Sequence, residues 1–276
     1  MRNLKEYIGE GLADWEDDNT LNKKISKQTT KAAIKKEIID WIVNNTNSRV
    51  YKNKFKFDFT TTPITVDYDG GIDIDKNMDS LTNGIFQWGE VEGHFSCSFC
   101  QKLKSLEGAP KVVGGYFGCS YCGSLESLNG APKMVKNDFY CNHCQSLKSL
   151  EGAPKEVGGY FDCPFCQKLK SLNGAPEKVG ENFNCSNCSS LESLEGAPKE
   201  VGGSFNCSQC ESLKSLNGSP KIVNNFNCAK CTSLKSLTGA PENVRKDFFC
   251  NNCGKQFTEN DVKKVSNVKY RIICKR

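Results

Sequence analysis

Apolar positions in residues 95–253 recur with a period of about 22 residues, and the same pattern occurs eight times. The pattern is F-x-C-x-x-C-x-x-L-x-S-L-x-G-A-P-x-x-V, and residues 161–179 form one clear copy. Only the sixth copy is one residue short, between Val223 and Phe226. A fixed period of this size predicts a solenoid, in which each unit buries its apolar face against its neighbours. The leading phenylalanines are Phe95, Phe117, Phe139, Phe161, Phe183, Phe205, Phe226 and Phe248.

Within one copy, the first part of the pattern is typical of a strand and the second part of a return path. Phe161 and Cys163 lie two residues apart, so they share one face of an extended strand, and Cys166 follows three residues later. Gly174 and Pro176 then indicate the turn that brings the chain back. We therefore expect a mainly β repeat solenoid whose copies stack in register, with an N-terminal helical segment and capping elements at both ends.

The N-terminal flank, residues 1–48, predicts helices. A first segment carries Leu4, Tyr7, Ile8 and Leu12 at helical spacing. Residues 31–43 give a stronger 3.6-residue apolar stripe, with Thr29 or Thr30 as the expected N-cap. We expect the stripe to pack on the first repeats, and docking of a partner is the alternative.

Residues 49–94 alternate between apolar and polar positions and predict short strands. Pro63 and Val66 keep the Pro-to-Val spacing of the repeats, and Ile72 and Ile74 keep the Phe-to-Cys spacing. The region is therefore interpreted as a β-rich N-terminal cap made of degenerate repeats. The regular repeats occupy residues 95–254. In residues 255–276, a capping-box-like start at Thr258 predicts a short helix, followed by a closing strand.

The spacing F-x-C-x-x-C resembles the L-x-L-x-x-(N/C) strand of the leucine-rich repeat, and Cys166 matches its Asn or Cys position. The plainer spacing is similar to the BspA-like subgroup of that family. The resemblance covers about 160 residues and implies a solenoid. The long leucine strand and the convex helix are missing, so the resemblance does not extend to a horseshoe curvature. The whole chain also looks like uncharacterised repeat proteins of tailed bacteriophages and gut bacteria, a resemblance that implies no activity.

Sixteen of the 17 cysteines form eight C-x-x-C pairs, one in each repeat, and Cys274 stands alone. Consecutive pairs are 18 residues apart, which is a spacing found in zinc sites. The pattern favours reduced thiols in two stacked sulfur columns, because a buried cysteine behaves as a small hydrophobe and needs no metal. Disulfides remain a third reading. If zinc is bound, the candidate ligands begin with Cys97, Cys100, Cys119, Cys122, Cys141, Cys144, Cys163 and Cys166.

Composition limits the function more than it identifies it. The net charge of +5 argues only weakly for nucleic acid or membrane surfaces, and no apolar run has the length of a membrane span. The chain has two histidines, and no nucleophile elbow, P-loop or dinucleotide fingerprint occurs. We therefore expect a non-enzymatic protein without a cofactor. The start of the chain has no secretory signal, so we expect a cytoplasmic location, in the host if the gene belongs to a phage.

Positions that differ between repeats on one face predict where a partner binds. The residue before the second cysteine is aromatic or His in the first four repeats and polar in the last four. We expect these rings to anchor a protein partner, with packing of the rings on one another as the alternative. Single-stranded nucleic acid is a weaker alternative, because two series of lysines alternate with glutamates along the repeats. The predicted partner-binding residues are Phe99, Tyr116, Tyr121, Tyr140, His143, Tyr160 and Phe165.

Overall fold

The computed structural model describes residues 20–275, and the side chains from residue 30 onward. It is mainly β and forms a β-solenoid of about ten turns with repeats of about 22 residues, which confirms the predicted fold class. Each regular turn contributes two short strands, one that starts at the leading Phe and one that ends at the Val. We call these the Phe strand and the Val strand.

Before the repeats, helix α1 spans Thr20–Asn44. The predicted N-cap at Thr29 or Thr30 is wrong, because no Gly or Pro interrupts residues 20–44 and the helix begins earlier. Ile38 and Ile42 are fully buried, and the Trp41 ring meets the Phe86 ring edge-on at 5.4 Å between centroids. The apolar stripe therefore packs on Phe86 of the N-terminal cap, whereas the expectation placed it on the first repeats. The predicted first segment from Leu4 to Leu12 lies outside the described residues.

The cap that follows α1 consists of a 3-10 turn, Lys52–Lys54, and strands β1 (Phe55–Asp58), β2 (Ile64–Tyr68), β3 (Ile72–Asp73) and β4 (Phe86–Val91). Strands β1 and β2 are antiparallel, while β2 and β4 are parallel. The pairing aligns Tyr68, not Val66, with Val91 and thus with the Val strands, because the register shifts between Val66 and Tyr68. Ile72 pairs with Phe95, so the N-terminal cap is built on the plan of the repeats.

Apart from one break among the Val strands, each strand of the repeats pairs in parallel with the equivalent strand of the next turn, so Phe161 lies beside Phe183 and Val157 beside Val179. The Phe strands are β5 (Phe95–Ser96), β7 (Phe117–Gly118), β9 (Phe139–Tyr140), β11 (Phe161–Asp162), β13 (Phe183–Asn184), β15 (Phe205–Asn206), β17 (Phe226–Asn227) and β19 (Phe248–Phe249). The Val strands are β6 (Val112–Val113), β8 (Met134–Val135), β10 (Glu156–Val157), β12 (Lys178–Val179), β14 (Glu200–Val201), β16 (Ile222–Val223) and β18 (Asn243–Val244).

The core is a set of columns of identical side chains between the two sheets. The eight leading phenylalanines are all 0% exposed, and neighbouring rings lie 5.0–5.9 Å apart between centroids. The leucines of the L-x-S-L segment and the valines form the other columns. Gly174 closes the turn at φ 87°, a conformation that glycine adopts most easily. The repeat thus buries its apolar positions only against its neighbours.

At the far end, helix α2 spans Glu259–Lys263, and Thr258 and Asp261 form the predicted capping box. The expected single closing strand is two short ones, β20 (Asn267–Val268) and β21 (Ile272–Ile273). Strand β20 extends the Val strands and β21 extends the Phe strands. The cap therefore covers both sheets, and the turn at residues 269–271 separates its two strands.

The short sixth copy divides the Val strands into two sheets. Strands β1, β2, β4 and the Val strands up to β14 form one sheet of eight strands, whereas β16, β18 and β20 form another of three. The Phe strands continue unbroken in one ten-stranded sheet from β3 to β21. At the break, Asn224 N–H bonds Gly203 O, although the equivalent Gly202 N–H bonds Val179 O in the preceding turn. The missing residue thus shifts the register on one side only.

Candidate functional site

Phe99, Tyr121, His143 and Phe165 form a single stack, which we call the ring column. The centroid distances along it are 4.8, 4.4 and 4.4 Å, and successive rings are within 8° of parallel. Phe99 is 55% exposed, and Tyr121 and Phe165 are each 37% exposed. The structure therefore brings four of the seven predicted partner-binding residues together as a solvent-facing aromatic surface.

The backbone holds the ring column in an uncommon conformation. All four ring residues have a positive φ, between 58° and 68°, although none of them is glycine. Each repeat turns sharply at this point, after the Phe strand has continued its ladder through Phe99 N–H to Ser120 O at 2.8 Å. Left-handed backbone costs an ordinary residue about 1–2 kcal/mol, and Asn tolerates it best after Gly. The ring positions therefore carry a backbone cost.

Beyond Phe165, the same position continues with polar residues and opens into a shallow groove. The groove has a volume of about 700 Å³, and Asn187, Gln209 and Lys230 follow Phe165 along it. A second row, formed by the residue after each second cysteine, lies beside the ring column and includes Gln101 and Gln167. Gln101 Nε2 donates a hydrogen bond to Tyr121 O at 2.6 Å. This second row was not identified from the sequence, although its position directly after the second cysteine could have indicated it.

The other three predicted residues, Tyr116, Tyr140 and Tyr160, lie on the outer face of the Phe strands. Tyr116 stacks on His94 at 4.9 Å between centroids and meets Tyr140 edge-on at 5.9 Å. His94 was not among the predicted residues, although it occupies the position of Tyr116 in the preceding repeat. The structure thus divides the predicted residues into the ring column and a separate sheet-face cluster.

Asp138 organises the sheet-face cluster. Its carboxylate accepts a hydrogen bond from Tyr140 Oη at 2.9 Å and another from Tyr160 N–H at 2.8 Å. Burial, together with the contact to Asp138, raises the pKa of Tyr140 above its ordinary value, so the phenol stays protonated. Tyr140 is therefore fixed as a hydrogen-bond donor to Asp138 and has a structural role within the face.

The cysteines form two columns in the core, as the reduced-thiol interpretation expects. We call them the first-cysteine and second-cysteine columns, after their order in C-x-x-C. Cys122 Sγ donates to Cys97 O at 3.2 Å, and Cys166 Sγ donates to Cys141 O at 3.3 Å. The second cysteine of every regular repeat after the first makes the same bond to the preceding turn. Each such thiol therefore satisfies a buried carbonyl.

Burial also decides the protonation of the first-cysteine column. Five of its members have a pKa raised well above the ordinary thiol value, chiefly by burial and then by contact with a neighbouring thiol. They are Cys119, Cys141, Cys185, Cys207 and Cys228. Within residues 20–275, no group of three or more His, Cys, Asp or Glu side chains is arranged to hold a metal ion. The geometry therefore does not bring the candidate ligands from Cys97 to Cys166 into a metal centre.

Part of the two lysine series pairs with glutamates of adjacent turns. Lys148 contacts Glu126 at 2.6 Å, and Lys214 contacts Glu192 at 2.8 Å between charged atoms. Further pairs at 3.3–3.8 Å join Lys221 with Glu242, Lys199 with Glu177 and Lys178 with Glu200. Exposed pairs of this kind stabilise only weakly, and each cancels one lysine charge.

Comparisons with known proteins give no further guidance. No protein-family model matches the chain, and searches of curated proteins and of solved structures found no match. None of the helices in the described part of the chain has the length and apolarity of a membrane span.

Proposed function

We propose that this chain is a non-enzymatic repeat scaffold that binds a protein partner through the ring column. The observation that carries the proposal is the exposed stack of Phe99, Tyr121, His143 and Phe165 at backbone positions with positive φ. Aromatic anchors provide much of the binding energy in protein interfaces, particularly where they are already ordered before binding.

The second half of the solenoid supports the proposal by comparison. The same backbone position holds Asn187 and Asn252 there, with φ values of 59° and 57°. Asn adopts this conformation at a lower free-energy cost than Phe or Tyr. The polar repeats therefore show which residue this backbone position accepts when no ring is needed. Stacking of the rings returns about 0.5–1.5 kcal/mol per pair, which offsets the backbone cost without explaining why the rings are exposed. Recognition of a partner gives the exposed rings a role.

The surroundings of the ring column favour a protein partner over a nucleic acid. Its neighbours in the second row include the amides of Gln101 and Gln167, and two lysines of the repeats, Lys148 and Lys214, are paired with Glu126 and Glu192. Nucleic-acid binding needs a row of unpaired cations along the backbone path. A neutral rim of amides around aromatic anchors is the usual composition of a protein interface.

The test compares two variants that change the same repeat position in opposite halves of the solenoid. The first replaces Phe99, Tyr121 and Phe165 by Asn, which the chain itself accepts at this position in other repeats. The matched control replaces Gln209 and Lys230 by Asn at the same position of the polar half. Affinity purification from the native host, followed by titration of the recovered protein, measures binding.

We expect the first variant to lose at least about tenfold in affinity for a protein that the wild type and the control both bind, while its far-UV spectrum and thermal midpoint stay near those of the control. Equal binding by all three proteins would contradict the proposal. Recovery of a nucleic acid, with an affinity that falls steeply with salt, would replace it with the nucleic-acid alternative.

A further inference from the structure

Cys274, which stands outside the repeats in the sequence, is the last member of the first-cysteine column. Strand β21 pairs in register with β19, placing Ile272 beside Phe248 and Ile273 beside Phe249. Cys274 follows directly and lies beside Cys250, with 2.9 Å between their Sγ atoms. The two thiols therefore meet on adjacent strands.

Other first cysteines accept a hydrogen bond at their carbonyl oxygen from a second cysteine of the next turn. In the preceding turn, Cys253 Sγ donates to Cys228 O, in the way that second cysteines contact the turn before them. No further C-x-x-C pair follows Cys250 in the sequence, so no second cysteine occupies that place. Cys274, which lies in the register of a first cysteine, contacts Cys250 through sulfur instead, and interior first cysteines such as Cys119 and Cys185 also have a neighbouring thiol in contact.

The pair lies near solvent at the end of the stack, although Cys253 beside it is more exposed. Cys274 is 7% exposed, whereas the first cysteines from Cys97 to Cys228 are 0% exposed. A cavity of about 480 Å³ opens beside it, lined by Phe257, Ile272 and Cys274 among others. Small oxidants can thus reach this sulfur before they reach the interior columns.

We propose that Cys250 and Cys274 are an oxidation site at which a peroxide forms a disulfide that locks the C-terminal strand onto the solenoid. Hydrogen peroxide transfers one oxygen to Cys274 Sγ, giving a sulfenic acid and one water. Cys250 Sγ then attacks that sulfur, the S–S bond forms, and the hydroxyl leaves with the Cys250 proton as a second water. Two thiols are oxidised and one peroxide is reduced, and a small-molecule thiol reverses the change by exchange.

The backbone already suits the cross-link. Adjacent parallel strands lie about 4.8 Å apart, which falls within the range of Cα separations that disulfides span. In the described residues, β21 is the outermost strand of the ten-stranded sheet and pairs only with the two residues of β19. A disulfide would close the loop between residues 250 and 274, so opening of this end strand would become rarer.

The test treats the full chain with increasing hydrogen peroxide, blocks the remaining thiols in denaturant and maps disulfides by digestion and mass spectrometry. Trypsin leaves Cys250 and Cys253 on one peptide, so a Cys253→Ser variant makes the assignment unambiguous. We expect the first cross-link to join Cys250 with Cys274 in the wild type and in this control. It should be absent from Cys250→Ser and disappear on treatment with dithiothreitol.

The second readout is amide hydrogen exchange in the wild-type chain, which does not depend on any variant. Oxidation should slow exchange at Ile272 and Ile273 by at least about tenfold while leaving the N-terminal repeats unchanged. A first cross-link within an interior pair or at Cys253 would overturn the proposal. So would oxidation that stops at a single sulfinic acid, or a Cys250–Cys274 bond without slower exchange of β21.

Discussion

At the scale of single residues, the two cysteines of C-x-x-C have different roles. Cys166 donates a hydrogen bond from Sγ to Cys141 O and so satisfies a carbonyl that the turn leaves without another partner in the core. Cys163 is equally buried, but its thiol makes no hydrogen bond to the backbone of the described residues. Cys163 thus acts as a small apolar side chain and Cys166 as a donor, whereas the first cysteine Cys228 also donates, to Phe249 O at 3.4 Å.

These roles predict opposite rankings of the same substitutions. At Cys166, Ser should be better tolerated than Ala, because Ala leaves the Cys141 carbonyl unsatisfied at a cost of about 1–3 kcal/mol. At Cys163, Ala should be better tolerated than Ser, because the hydroxyl would be buried without a backbone partner. Urea unfolding of the four variants measures the free energies. The same ranking at both sites would contradict the assignment of roles.

The sequence predicted the sulfur columns but not the backbone at the ring column. The face of Cys163 followed from its two-residue spacing to Phe161, because strand alternation depends only on sequence distance. The positive φ at Phe165 is set by the tertiary stack, and bulky residues give no local sign of it. Asn187 and Asn252, at the same repeat position, were the one available hint.

At the scale of elements, the sheet of Val strands shows how strictly stacking depends on repeat length. Loss of one residue between Val223 and Phe226 separates β14 from β16, while the Phe strands β15 and β17 remain paired. One hydrogen bond still joins the two turns directly after β16, from Asn224 N–H to Gly203 O. The sequence located the short copy, but which sheet would break depended on the hydrogen bonds of the turn.

Restoring the missing residue should rejoin the two sheets. We expect insertion of one Gly directly after Val223 to stabilise the chain by about 1 kcal/mol for each ladder bond regained. The same insertion after Val201, in a copy of normal length, is the matched control and should destabilise by shifting the register. Chemical denaturation gives the stability change, and amide exchange at Val223 tests the new pairing. Stabilisation by both insertions, or by neither, would count against the register argument.

The N-terminal cap shows where spacing alone was insufficient. Val66 keeps the Pro-to-Val spacing, yet the bulge between Val66 and Tyr68 places Tyr68 in the line of Val strands. Ile72 nevertheless pairs with Phe95. Ile72 lies four residues after Tyr68, and in repeats of normal spacing the leading Phe likewise lies four residues after the preceding Val. A bulge is a local backbone event, so apolar spacing predicted the degenerate repeat but not its register.

At the scale of the whole molecule, the columns make the turns depend on a shared chemical condition, namely that the buried thiols stay protonated. Burial raises the pKa of Cys119, Cys141 and Cys185 in the folded state, whereas an unfolded chain has thiols with ordinary pKa values. The stability that the protonated thiols contribute is fully present below the thiol pKa of the unfolded chain. It is lost as the pH rises from that value towards the thiol pKa of the folded protein. The sign follows from proton binding, since above pH about 8.5 the unfolded state holds fewer protons.

We therefore expect cooperative alkaline unfolding that begins near pH 9, well below the range in which the lysines lose their charge. Each such thiol removes about 1.4 kcal/mol per pH unit once the unfolded thiol has ionised, so a few of them outweigh a typical total stability within two pH units. Thiolate absorbance and far-UV circular dichroism should change together.

A Cys119→Ala, Cys141→Ala variant is the control. The slope of its free energy of unfolding against pH should be shallower by about 2.7 kcal/mol per pH unit, since two titrating groups are gone. Thiolate formation without loss of the β signal would show that the columns tolerate charge, and the thiols would then not be coupled to the integrity of the stack.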